Sequence, residues 1–355
     1  SFMASKLAVF IGRFSPLHIG HINIIKTALE QFDRVAILIG SSFQPRTTKN
    51  PWTVQERMNL IRDAFASDPE KSSRIILQPI RDKKYNNTWW ASLVHQHVGE
   101  IVTNLALSGI NISEVRLIGH EKDDSSWYVH TFPQWGAPVL PPAKENLSAT
   151  DIRNMLFNDH NLRYLSGVVP HNVLNFISEF KTTKEYADLH KEYHVLERGK
   201  QAWAGAPYPP IFVTVDAMVI HPSGRIIMGN RLSYPGKGLL ALPGGFLEQN
   251  ESIVDGAIRE LQEETRIKLA PAALRGSIKK VHVFDDPARS ARGRTITHTH
   301  LFMLPDGPLP RIRGSDDMTN AHWLNLHEIR EDMVFEDHYH QIQFMTGNYA
   351  DAESE

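Results

Sequence analysis

The segment from Gly245 to Ile267 constrains this chain more than any other, because Gly245, Glu251, Arg259, Glu260, Glu263 and Glu264 follow one another at fixed intervals. On a helix, Glu260, Glu263 and Glu264 stand at i, i+3 and i+4 and share one face. Three carboxylates so close repel one another and call for a counter-charge, most simply a hard cation such as Mg²⁺, or Mn²⁺ in its place, held by oxygen ligands. A solvated acidic face is the ordinary meaning of such a run. It fits poorly here because Ala257, Ile258 and Leu261 make the opposite face apolar and because Leu242-Pro243-Gly244-Gly245 comes just before. The pattern predicts a divalent-metal site for cutting a diphosphate. Glu260 and Glu264 are the first ligands expected, Glu263 the third, Arg259 the orienter of a neighbouring carboxylate, and Gly244 or Gly245 the place where a backbone carbonyl approaches the ion.

The segment resembles the Nudix box, G-x5-E-x7-R-E-U-x-E-E-x-G-U with U apolar, and meets every fixed position but one. Arg266 stands where the family has its last glycine, so a different helix exit is expected there.

A second signature lies near the other end. The apolar run Leu7 to Ile11 leads into Gly12-Arg13-Phe14-Ser15-Pro16-Leu17-His18-Ile19-Gly20-His21 and then an amphipathic stretch, the order of a strand, a turn and a helix. Two imidazoles near a helix N-terminus beside Arg13 offer what a polyphosphate needs: free N–H groups, the positive end of the helix dipole and donors for developing charge. His18 could equally cap the turn, which leaves Gly20 between the rings unexplained. The stretch resembles the H-x-G-H motif of the nucleotidyltransferase superfamily and, in its longer form, nicotinamide-mononucleotide adenylyltransferases.

The letters His-Ile-Gly-His also match class I aminoacyl-tRNA synthetases, but no Lys-Met-Ser-Lys-Ser stretch follows. The partner motif Leu147-Ser148-Ala149-Thr150-Asp151-Ile152-Arg153 looks like the family's I-S-x-T-x-I-R helix start. There Ser148 is expected to cap, Thr150 to offer a hydroxyl and Arg153 to hold a phosphate bidentately. Asn50-Pro51-Trp52-Thr53 with Glu56-Arg57, Asn86-Asn87-Thr88-Trp89-Trp90 and Gly119-His120-Glu121-Lys122-Asp123 with Ser125-Ser126 carry the same resemblance. It implies that Gly12, Arg13, Phe14, Asn87, Trp89 and Gly119 bind substrate. A tryptophan beside an asparagine pair suits a flat amide-bearing ring, although both tryptophans could be ordinary core.

Together the resemblances match a bifunctional architecture: an N-terminal nicotinamide-mononucleotide adenylyltransferase fused to a C-terminal Nudix ADP-ribose pyrophosphatase. They imply ATP, nicotinamide mononucleotide (NMN), NAD and ADP-ribose as small-molecule partners. Val283 to Thr297 looks like that Nudix subgroup's substrate loop, with Arg289 and Arg294 as diphosphate ligands; a solvated basic loop is the plainer alternative. The rival functions are a C-terminal nucleotide sensor and a hydrolase for NADH or a dinucleoside polyphosphate. Asp316 and Asp317 are the weak candidates for the hydrolytic general base.

A chain of 355 residues suits two domains. Residues 1–184 form the expected nucleotidyltransferase domain, 185–205 a helical connector and 206–355 the Nudix domain. Aliphatic runs alternating with amphipathic stretches predict an α/β fold with a Rossmann-like parallel sheet in front. The alternating strands from Ile211 predict an α/β/α sandwich with a mixed sheet behind. A net charge of −2 with no long basic run argues against nucleic acid. With 0 cysteines, no long apolar run and no signal pattern, neither membrane insertion nor export is expected, and the cytoplasm is the expected compartment. The oligomeric state, a homo-oligomer included, stays open. His298 with His300, and His338 with His340, have the spacing of one strand face and are expected to be strand or surface residues.

Overall fold

The computed structural model describes residues 4–120, 128–142, 148–313 and 318–352. Glu121, Lys122, Asp123, Ser125, Ser126, Leu147, Asp316 and Asp317, all singled out in the sequence, lie outside the described residues. The chain divides into two compact units, Ser1–His190 and Lys191–Glu355.

In the first unit, strands and helices alternate as β1 (Ser5–Gly12), α1 (Ile19–Gln31), β2 (Arg34–Ile39), α2 (Val54–Ala64), α3 (Pro69–Ser72), β3 (Ile75–Pro79), α4 (Asn87–Leu107) and β4 (Ile112–Ile118). The helices α5 (Ala149–Phe157) and α6 (His171–Phe180) follow. The sheet order is β3-β2-β1-β4, and every pair is parallel. Central β1 and β2 are nearly continuous aliphatic runs because both faces are covered, and Leu7, Val9 and Leu38 pack with Trp90, Val94 and Val98 of α4 in one core. Parallel pairing brings the C-terminal ends of all four strands to one edge, where a doubly wound sheet binds its ligands.

Helix α7 (Lys184–Ala202) runs unbroken through the expected connector, and the boundary between the units falls inside it. Its last turns belong to the second unit, where Glu192 accepts the Gly236 N–H at 2.6 Å.

The second unit continues with β5 (Ile211–His221), β6 (Arg225–Arg231), β7 (Leu240–Ala241), β8 (Gly244–Phe246), α8 (Ile253–Thr265), α9 (Pro271–Gly276), β9 (Ile278–Phe284), β10 (Arg294–Met303), β11 (Met318–Asn325) and α10 (His338–Thr346). The main sheet runs β11-β6-β5-β10-β9, with β5 and β10 parallel and the other pairs antiparallel. Ile258 and Leu261 of α8 pack with Ala217, Val219 and Phe302. This burial is what turns the opposite, carboxylate face of α8 towards β8.

His298 and His300 lie on β10, as the spacing predicts, with His300 fully buried. The expectation for His338 and His340 is corrected: both are buried on α10, a helix packed on the sheet, where Gln341 accepts the Thr299 hydroxyl of β10 and the N-cap Asp337 accepts from Gln341 and Arg289. Among the described residues, no helix is long and apolar enough to cross a membrane.

Candidate active sites

The front site is built on the loops that leave the sheet. His18 is the N-cap of α1: its Nδ1 accepts the Gly20 N–H at 3.0 Å, while His21 Nδ1 accepts the His18 N–H at 3.1 Å. A ring nitrogen that accepts from an amide carries no proton, so in the neutral imidazoles the proton sits on Nε2. The rings stack at 3.7 Å between centroids. Burial, with further contributions from His18 and His120, pushes the His21 pKa well below its ordinary value. His21 is thus held as a neutral N–H donor at a helix N-terminus, and capping uses the Nδ1 atom of both rings.

Arg153 comes to this loop from α5 and is almost fully buried. It donates to the Ser15 carbonyl at 2.7 Å and to Thr150 Oγ1 at 3.2 Å. Burial and then the neighbouring Arg13 lower its pKa to about 10, so it stays charged. One of its donors therefore clamps the loop and another is held by Thr150 of its own helix, so the guanidinium is less open than the bidentate phosphate contact expected of it requires. Ser148 caps α5 as predicted, its hydroxyl engaged with Asp151 in both directions. Arg13 is exposed.

Phe14 is placed differently from the expectation. Its side chain is 1% exposed and packs on Phe10 and His21, in a left-handed backbone with φ of 54°. A Cβ at Gly12 would meet that ring at 3.1 Å, which explains the glycine. Trp90 is a core residue, whereas Trp89 is 43% exposed and Asn87 is exposed beside it. Asn86 caps α4 by accepting the Trp89 N–H. The asparagine pair thus divides its work, and only Asn87 and Trp89 remain accessible for a flat ring. Gly119 follows β4 and bonds Val139 through its N–H.

Arg57, quoted in the sequence only beside Glu56, is the hub of this edge. Fully buried, it donates to the carbonyls of Arg13 and Gly40 at 2.8 Å, Ser41 at 3.1 Å and Trp52 at 3.1 Å. Asp82 adds a second tie by accepting from the Ser41 hydroxyl and from Gln44. Phe14, Ser41, Phe43 and Tyr85 all have positive φ without being glycine, and all lie in these loops. Backbone strain held by a buried network concentrates where ligands are bound.

The rear site is organised by Arg259. Its guanidinium grips Glu251 with two bonds of 2.7 and 2.8 Å and donates to Glu260 at 3.0 Å and Glu263 at 3.2 Å. The hydrogen bonds from Arg259 keep the Glu251 carboxyl below its usual range. Glu264, 6% exposed, accepts the Gly244 N–H at 3.0 Å. Glu260 presses on Gly245 so closely that a Cβ there would stand 2.6 Å from its Oε1. A Cβ at Gly244 would overlap Asp216 and the Val215 carbonyl.

Gly244 stands at a non-bonded position of the β5–β8 ladder, because the bonds run from Ala217 N–H to the Pro243 carbonyl and from Leu247 N–H to the Val213 carbonyl. In a strand the N–H and C=O of one residue point the same way. Since the Gly244 N–H reaches Glu264, its carbonyl also faces α8. Glu260, Glu264 and the Gly244 carbonyl therefore converge. Glu263 does not join them; its side chain is 58% exposed against Arg259.

Two arginines expected to bind a diphosphate are otherwise engaged. Arg289 is 3% exposed and makes a two-bond pair with Asp337 at 2.9 and 3.0 Å plus a bond to Thr295 at 2.8 Å. Burial alone would lower its pKa, but Asp337 outweighs it and the net shift is upward. Arg294 donates to the Asp285 carbonyl and closes its loop. Arg292, in the same loop, lies at 5.5 Å over the Phe246 ring.

Both halves of the chain match known proteins. The model of the NUDIX domain matches residues 210–344, and that described as cytidylyltransferase-like matches residues 9–155. The nicotinamide/nicotinic acid mononucleotide adenylyltransferase of Acinetobacter baylyi is 35% identical over 185 residues, 52% of this chain and 92% of that protein. A crystal structure of a bifunctional NMN adenylyltransferase/ADP ribose pyrophosphatase from Francisella tularensis is 35% identical, covers 97% of this chain and 99% of its own, and superposes with a TM-score of 0.89. The chain belongs to this bifunctional family. A second Francisella tularensis structure, described as complexed with AMP and Mn ion, is 34% identical with a TM-score of 0.88.

Within the family frame, a divalent metal is the cofactor of the Nudix half, and the donors present fit it: two carboxylates and a carbonyl are hard oxygen ligands, and the glycines leave room where a Cβ would intrude. Arg266 takes the left-handed conformation, φ 52°, that a glycine would favour, and its N–H bonds Gln262, so the helix exit is retained despite the substitution. Arg57 and Asp82 carried no spacing signal; only the resemblance around Glu56-Arg57 pointed near them.

Proposed function

We propose that the N-terminal unit transfers the adenylyl group of ATP to nicotinamide mononucleotide, giving NAD and pyrophosphate, and that the C-terminal unit hydrolyses ADP-ribose to AMP and ribose 5-phosphate. The observation that carries this reading is the match over nearly the whole chain to a bifunctional enzyme of that description. The two sites support it separately.

In the first reaction the attacking phosphate is already an anion, so no general base is required and catalysis is positioning plus charge stabilisation. The Nε2–H groups of His18 and His21 donate to the triphosphate, and Arg13 with Arg153 balances charge on the departing pyrophosphate. The strained, Arg57-bound loops hold these groups in place before substrate arrives. Asn87 and Trp89 offer an amide and a ring face to the nicotinamide.

In the second reaction, Glu260, Glu264 and the Gly244 carbonyl would hold Mg²⁺, which when bound would polarise a phosphoryl oxygen and acidify a water. Arg259 keeps Glu260 oriented and Glu251 ionised. We assign the cell's nucleotide pool as the source of both substrates, in the cytoplasm.

The test is a pair of Mg²⁺-dependent assays on the purified chain, ATP with nicotinamide mononucleotide in one and ADP-ribose, NADH and diadenosine polyphosphates side by side in the other. NAD in the first and AMP released fastest from ADP-ribose in the second are expected. No NAD, or a preference for another diphosphate, refutes the corresponding half.

A further inference from the structure

Beside the Nudix box the second unit holds a cavity of about 770 Å³, within the size range of nucleotide-sized ligand sites. Glu251, the carboxylate gripped by Arg259, stands on its wall, so the cavity adjoins the cleavage site. Part of the wall is aromatic: Phe246, Phe212 and Trp203 form a chain of edge-to-face contacts with centroids 5.7 and 5.2 Å apart, and Arg292 lies over Phe246. These rings are not simply core. Trp203 is 52% exposed and Phe246 48% exposed, an arrangement that leaves large apolar faces in water unless a ligand covers them.

Trp203 comes from outside the matched Nudix residues 210–344, at the end of α7. Its position is fixed rather than incidental, because Glu192 ties α7 to Gly236 and Leu196 is buried in the same wall.

We propose that this cavity receives the purine base of the Nudix substrate, that Trp203 and Phe246 provide its stacking faces, and that Trp203 makes the segment between the domains part of the hydrolase site. The inference rests on the reading of this half as an ADP-ribose pyrophosphatase. It adds a specificity-determining residue that the Nudix box does not contain, and it means that the hydrolase site begins upstream of the matched Nudix residues.

The test uses the full chain with Trp203→Ala and Trp203→Phe. For ADP-ribose hydrolysis, Trp203→Ala raises KM by about 10- to 100-fold, the range expected when a base loses one aromatic face, while kcat stays within about threefold. Trp203→Phe restores most of the KM, and adenylyl transfer is unchanged in both variants. An unchanged KM in Trp203→Ala, or a fall in kcat that Trp203→Phe does not rescue, overturns the proposal. Calorimetric titration with AMP in the presence of Mn²⁺ reads the cavity without turnover, and binding at the front site cancels between wild type and variant. Should the wild type release no AMP from ADP-ribose, the functional reading fails by itself. The cavity assignment then stands if Trp203→Ala weakens AMP binding and falls if it does not.

Discussion

Replacing Arg259 by alanine removes the group that holds three carboxylates together, Glu251 just ahead of α8 and Glu260 and Glu263 on it. The side chains of Glu251 and Glu260 are each 12% exposed, so solvent screens them little, whereas Glu263 at 58% contributes almost nothing to the sum. Breaking a mostly buried pair leaves an uncompensated carboxylate and costs about 3–5 kcal/mol. Glu251 alone loses two charge-assisted bonds, which places the loss near the middle of that range, about 4 kcal/mol, and lowers the C-terminal melting temperature by about 10 °C for a unit of this size. Arg259→Lys keeps the charge but not the fork, so roughly half the loss is expected. The assay is differential scanning calorimetry with and without saturating Mg²⁺. Since the ion would also neutralise Glu260, the one carboxylate it shares with Arg259, it recovers part of the loss in Arg259→Ala and stabilises that variant more than the wild type. Melting of Arg259→Ala within about 2 °C of wild type, with no extra response to Mg²⁺, would show that Arg259 is an ordinary surface ion pair.

Arg289→Ala strands Asp337, which is wholly buried, and costs about 3–5 kcal/mol of C-terminal stability in a denaturant titration, with no change in the KM for ADP-ribose of the folded fraction. Arg266→Gly relieves a left-handed residue and stabilises the same unit by about 0.5–1 kcal/mol by the same measurement. His21 has a folded pKa below the unfolded value of about 6.5. Its contribution to stability is therefore complete above that pH and is lost as pH falls towards the folded pKa. Amide exchange on α1 should quicken over that interval in the wild type and less so in His21→Gln.

Much of the architecture was legible because it depends on local patterns. Aliphatic runs ending in glycine marked β1, β2 and β4, and the box spacing marked α8 together with the carboxylates that face β8. The failures share a cause. Arg289 reads as a phosphate ligand in a basic loop because its partner Asp337 lies 48 residues away, and nothing local announces the pairing. Arg57 binds five carbonyls, and carbonyls leave no trace in a sequence. His338 and His340 alternate like strand residues, yet they lie on a buried helix that Gln341, just after them, ties to the sheet through Thr299. Phe14 sits within a motif that contacts substrate in the family, but here its ring is the floor on which Gly12 and His21 rest. Arg266 shows the reverse case, a departure from the motif that leaves the local geometry intact because the fold imposes the conformation.

The central claim is that one chain holds two phosphorus-chemistry centres that work separately. The most direct measurement is both activities in His21→Ala and in Glu264→Gln, with calorimetry as the check on folding. His21→Ala should lose about 10²- to 10³-fold in NAD formation and keep ADP-ribose hydrolysis; Glu264→Gln should do the opposite. Loss of both activities in either folded variant, or wild-type NAD formation by His21→Ala, would contradict the account.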